Sequence, residues 1–150
     1  MPTGDTPAHR QHVVNAYDIM YPDHAPRAGD PNYRDFEAYR RRTKGDPDVY
    51  KCAWGVEVDD FTQCSPPPLE LHHAHIEFAL QNGVDLAHLE HAYPGVSDPK
   101  TVGAWVESAE NLVWLCARHH RAQSAGVHHL AAADYEASKW LQSGIIVPKG

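Results

Sequence analysis

Hydrophobic and polar positions along this chain change period several times, and each change marks an element. Tyr33, Phe36 and Tyr39 stand three apart and place aromatic rings near one face of a helix predicted from Asp30-Pro31 to about Thr43. From Val49 to Cys64 the pattern is short and strand-like, with Trp54 in a turn. The prolines of SPPP keep residues 65–68 extended and out of any helix. Leu69 and Leu71 then alternate with Glu70 and His72, which predicts a strand with one apolar and one polar face and His73 at its end. Leu86, Leu89 and Tyr93, and again Val102, Trp105 and Val106, recur at three and four residues, so 75–109 is expected to be a helical insertion broken at YPGVSDP. NLVWLC predicts a second short strand and ARHHRAQ the start of a helix. AGV breaks it before an amphipathic C-terminal helix over 130–142, with Leu130, Ala133, Ala137, Trp140 and Leu141 on its apolar face. Residues 1–30, rich in Pro, Gly, Asp and Ala, are expected to form a flexible arm, with a short helix around VVNAYDIM.

Short strands with helices between and after them predict an α+β fold, and a length of 150 residues at 42% hydrophobic content fits one domain over 31–150. No apolar run is long enough for a membrane span and the start lacks a signal-peptide layout, so a cytoplasmic protein with no membrane partner is expected. Three cysteines far apart among 12 histidines suggest thiols available to a metal rather than a disulfide framework. The net charge of -7 opposes a polyanionic partner, yet YRRRTK at 39–44 and ARHHR at 117–121 are locally basic. For Arg40, Arg41 and Arg42, a solvated helix terminus weighs at least as much as phosphate binding.

The chemistry-bearing residues cluster in two places. LELHHAHIE holds the adjacent pair His72 and His73 at a strand end, and ENLVWLCARHHR holds Cys116, His119 and His120 at a strand-to-helix junction. Imidazole is a common ligand for divalent metals, and an uncoordinated neighbour can act as a general base because its pKa lies near neutrality.

In that order and context the two segments resemble the HNH endonuclease family, whose ββα-metal motif has a strand ending in paired histidines, an Asn, and a helix bearing a last His. The likeness covers residues 69–77 and 110–128, and calls to mind small nucleases of phages and prophages. It implies a ββα-metal core over 49–129 with additional helices, zinc-stapled. His72 and His120 would be catalytic-metal ligands, His73 the base that activates water, and Asn111 the brace that holds His73 in orientation. Where many relatives have a further ligand this chain has Ser124, and His128 stands in as the third.

The resemblance further implies a knuckle in which Cys116 and His119 take a structural zinc with Cys52 and Cys64; the alternative is that Cys52 and Cys64 are small buried apolar residues. Arg118 and Arg121 would hold phosphate, or are exposed helix residues. The expected activity is hydrolysis of DNA, expected to be double-stranded, to 5'-phosphate and 3'-hydroxyl ends with one divalent ion (magnesium, manganese, nickel or zinc). A homodimer suits two cuts on opposite strands. Homing and genome packaging beside a phage terminase are equally open roles. The rival class is a non-catalytic zinc-binding or DNA-binding module on the same scaffold.

Overall fold

The computed structural model describes residues 4–148; the first three residues of the arm and the last two of the chain lie outside them. Helix α1 spans Tyr33–Lys44 and α2 spans Ala53–Val58. Strand β1 (Glu70–His73) is followed by a 3-10 segment at Phe78–Gly83, then α3 (Leu86–Ala92) and α4 (Pro99–Val106). Strand β2 (Leu112–Leu115) leads into α5 (Ala117–Arg121), and α6 spans Ala132–Ser138. The fold is α+β, with many short helices around one two-stranded antiparallel sheet.

That sheet organises everything else. Glu70 pairs with Leu115 and His72 with Val113, while Leu71 pairs with Trp114 and His73 with Leu112. Successive side chains on a strand point to opposite faces, so Glu70 and His72 share one face and Leu71 and His73 the other. Helix α1 covers the second face: Trp114 Nε1 donates to Thr43 Oγ1 at 2.9 Å, and the Phe36 ring stacks on His73 at 5.4 Å. The first face carries α2 and α5 and a buried cluster of Cys52, Trp54, Leu115 and Cys116. A second apolar cluster of Leu89, Val102, Trp105 and Val106 holds the insertion together, as the three-four spacing predicts.

Three local expectations are overturned. Residues 53–58 are helical rather than strand-like, because Trp54 and Val58, four apart, both pack on the first cluster. Gly55 sits where a Cβ would meet the Phe61 ring at 2.5 Å, so the turn after α2 closes only over a glycine. The C-terminal helix is shorter than 130–142: Ser138 Oγ turns back to Tyr135 O while accepting from Trp54 Nε1, and Trp140 is 64% exposed. No helix forms around VVNAYDIM, where Val13, Val14, Tyr17 and Met20 are exposed and have no packed face to stabilise so short a segment. Among the described residues, no helix is long and apolar enough to cross a membrane.

Candidate functional site

Two clusters of metal-ligating side chains lie on the first face of the sheet. Cys52 stands just before α2, Cys64 in the loop after it, and Cys116 and His119 at the start of α5. His119 Nδ1 lies 3.7 Å from Cys52 Sγ, 3.7 Å from Cys64 Sγ and 3.2 Å from Cys116 Sγ, and the four ligand atoms all fall within 4.8 Å of one another. Ligands about 2.3 Å (sulfur) and 2.0 Å (nitrogen) from one tetrahedral ion stand about 3.6 Å apart, so the donors fit a metal such as zinc.

The local sequence builds this set. Cys116 caps α5, accepting from His119 N at 3.4 Å, so one helical turn brings the thiol and the imidazole together. Trp54 stacks on the ring at 4.1 Å and 8° and fixes its plane. Burial, then the Arg118 charge, pushes His119 down to about 4, which leaves the imidazole neutral and able to ligate near pH 7. Burial raises the Cys64 thiol, reinforced by Cys52 and Cys116; three thiols this close cannot all ionise without a cation between them. Burial also acts to raise Cys116, but hydrogen bonds from His119 and Ser65 outweigh it and lower its pKa.

The second cluster is His72, His120 and His128, whose ligand atoms also lie within 4.8 Å of one another. His72 comes from β1 and His120 from α5. His128 comes from the loop beyond, which doubles back so that Val127 N donates to His119 O and His128 N to His120 O. Gly126 permits the return, since a Cβ there would meet Ala122 N at 2.6 Å and Arg121 N at 2.7 Å. His120 and His128 face each other through their Nε2 atoms at 3.0 Å. Ligands 2.0–2.1 Å from one ion stand about 3 Å apart, so this set fits a divalent cation with coordination positions left open.

Glu70, which the sequence reading missed, orients the set. Its Oε1 accepts from His120 Nδ1 at 2.9 Å, which leaves His120 Nε2 as the free lone pair aimed at His72 and His128. Hydrogen bonding from Arg121 and His120 holds the Glu70 carboxyl below its ordinary range against the opposing effect of burial. Burial, then the neighbouring charges of His120, His128 and His73, pushes His72 down to about 3, and burial lowers His128. Period-two spacing from His72 was the available signal for Glu70.

His73 sits on the opposite face of β1 from His72. Its Nε2 is 2.6 Å from Glu107 Oε1, and because a carboxylate only accepts, Nε2 carries the proton and Nδ1 the lone pair. Glu77 lies between the two faces, 3.9 Å from His73 Nδ1 and 3.9 Å from His128 Nε2. Asn111 is fully buried and ties the turn after β1: Oδ1 accepts from His75 N and Ile76 N, Nδ2 donates to Ile76 O and Val106 O, and its carbonyl accepts from Ala74 N.

The two arginines part company. Arg121 Nε donates to both oxygens of Glu70 at 2.9 and 3.0 Å, so that guanidinium is tied to the histidine cluster. Arg118 is exposed and lines a shallow cavity with Trp54, Gln63 and His119 on the cysteine side. Glu77 and Glu107 carry no local sequence signal, the first being brought in by the turn after His73 and the second by the remote end of α4.

The chain is thus an α+β domain with a Cys/His cluster able to bind a metal such as zinc and a histidine trio beside it. Comparisons with models of protein families, with curated proteins and with solved structures return no match.

Proposed function

We propose that this chain is a metal-dependent endonuclease of the HNH, ββα-metal type that hydrolyses DNA phosphodiester bonds to 5'-phosphate and 3'-hydroxyl ends. The observation that carries this reading is the convergence of His72, His120 and His128 on one face of β1, whose last residue, His73, is linked to that trio through Glu77, 3.9 Å from His73 Nδ1 and 3.9 Å from His128 Nε2. A divalent ion held by the trio supplies Lewis-acid stabilisation of charge developing on the phosphate and the leaving oxygen. His73 takes the proton of the attacking water at Nδ1, with Nε2–H fixed on Glu107. Glu77, within 3.9 Å of both His73 and His128, orients that water. Cys52, Cys64, Cys116 and His119 hold a structural zinc that anchors α5. The exposed Arg40, Arg41, Arg42 and Arg118 approach the backbone of double-stranded DNA, offsetting the overall charge of -7. A homodimer supplies the second cut, and service beside a phage terminase or in homing both follow from such an activity.

A non-catalytic DNA-binding module is the second reading, favoured by one observation: the His73 side chain is only 11% exposed, under Phe36 and against Glu107. Supercoiled-plasmid cleavage separates the two. Zinc-loaded protein is assayed with magnesium, manganese or nickel, with His73→Ala alongside. Metal-dependent nicking lost in the variant supports the nuclease; folded wild type that binds DNA but fails to cut it with any of these metals supports the module.

A further inference from the structure

We propose that Arg27, at the end of the N-terminal arm, is a positioning residue for His73, so that the arm completes the catalytic apparatus; this rests on the nuclease reading above. His73 is held by two groups, the Glu107 carboxylate at its Nε2 and the Phe36 ring stacked on its face at 18°. Arg27 touches both. Its Nη1 donates to the second Glu107 oxygen at 2.5 Å, and its guanidinium carbon lies 4.7 Å from the Phe36 centroid. The rings of Tyr33 and Phe78 stand at the same 4.7 Å, so the planar cation is caged by aromatic faces from α1 and from the 3-10 segment after β1.

The Glu107 side chain is 0% exposed, and its hydrogen-bond partners are Arg27 at one carboxylate oxygen and His73 at the other. Without Arg27 the carboxylate keeps only His73 and is free to rotate about it, and the ring loses its fixed direction. The arm is seated to deliver this contact: Asn82 Nδ2 donates to Asp23 O at 2.8 Å, His24 packs edge-on to Phe78 at 5.5 Å, and a 3-10 turn at Arg27–Gly29 follows. A buried ion pair contributes little net stability relative to apolar packing. Its worth here is directional, since the fork of the guanidinium fixes one carboxylate oxygen and leaves the other for the imidazole.

Arg27→Ala and Arg27→Lys in the full chain test this, read by plasmid-cleavage kinetics, by nickel binding to the histidine trio, and by the downfield proton resonance of His73 Nε2–H. That resonance is assigned as the one absent from His73→Ala. Arg27→Ala is expected to lower kcat about 100-fold, the usual consequence of misplacing a reacting group by about 1 Å. KM and nickel affinity stay within about threefold and the resonance broadens or disappears; Arg27→Lys recovers part of kcat. Wild-type kcat in Arg27→Ala, or an unchanged resonance, overturns the proposal. If the alanine variant does not fold, Arg27→Gln, which keeps a donor to Glu107 without the charge, carries the same readouts. If wild type cleaves DNA with none of the metals, the nuclease reading fails, and the resonance alone decides whether Arg27 orients His73.

Discussion

Cys64→Ala decides whether the half-buried cysteine after α2 is a metal ligand or a small apolar residue. Cys64 packs at the edge of the first cluster beside Cys52 and Cys116. If its sulfur only fills space, deleting it removes about one methylene's worth of burial plus a small cavity, about 1–1.5 kcal/mol. For a chain of this length that lowers Tm by about 2–6 °C. If Cys64 forms one corner of a tetrahedron with Cys52, Cys116 and His119 Nδ1 around a zinc ion, the variant loses the metal's stabilisation. With zinc at about 1,000 times its Kd that stabilisation is about 4 kcal/mol, which corresponds to about 8–16 °C. Zinc per chain is measured by atomic absorption and Tm by circular dichroism, with and without chelator. Wild type should carry zinc and lose Tm on chelation, while Cys64→Ala should start low and respond little to the chelator. A variant that keeps one zinc per chain and melts within about 5 °C of wild type would refute the assignment of Cys64.

Three further outcomes are expected. Glu70→Gln should weaken nickel or manganese binding at the histidine trio about 10–100-fold, the usual cost of losing a carboxylate behind a ligating imidazole, and isothermal calorimetry measures it. Asn111→Ala should destabilise the fold by about 2–5 kcal/mol in urea unfolding, because it removes the acceptor of the His75 and Ile76 N–H groups and the buried donor to Val106 O. Chelator-treated protein should lose stability as pH falls from about 7 towards 4. His72 and His119 are held down at about 3 and about 4 in the fold, whereas an unfolded histidine takes its proton near about 6.5. The unfolded state therefore binds more protons across that window and stability rises with pH. A Tm unchanged between pH 7 and 5 would contradict this.

What could be read from the sequence was set by range. Both strands, the helical insertion and the apolar triads Leu86–Leu89–Tyr93 and Val102–Trp105–Val106 follow from spacing within a few residues, and the structure has them. The six residues of α2 hold only one such pair, Trp54 and Val58; what makes that pair count is Trp54 lying flat on His119, 65 positions away in the chain, which no local pattern reveals. Cys52, Cys64, Cys116 and His119 were named together from a likeness of motif, and the fold brings their ligand atoms within 4.8 Å. Glu107 was unreadable for the opposite reason. A lone acidic residue at a helix C-terminus looks solvated in sequence, yet here it is buried between Arg27 and His73.

The paired histidines illustrate how a two-stranded sheet gives identical side chains unlike surroundings. His72 and His73 are adjacent, so the pleat turns them to opposite faces. On one face His72 meets two other imidazoles, His120 at 5.1 Å and His128 at 4.9 Å between ring centres, a setting in which protonation is disfavoured and a shared cation is favoured. On the other, His73 meets a buried carboxylate and an aromatic plane, a setting that fixes one tautomer and one orientation. Had the pair been on a helix, successive side chains would stand about 100° apart and share much of one environment. The strand end also explains why Glu77 can reach both faces: beyond His73 pairing stops, Asn111 bends the chain, and the carboxylate at the rim comes within 3.9 Å of an imidazole from each side.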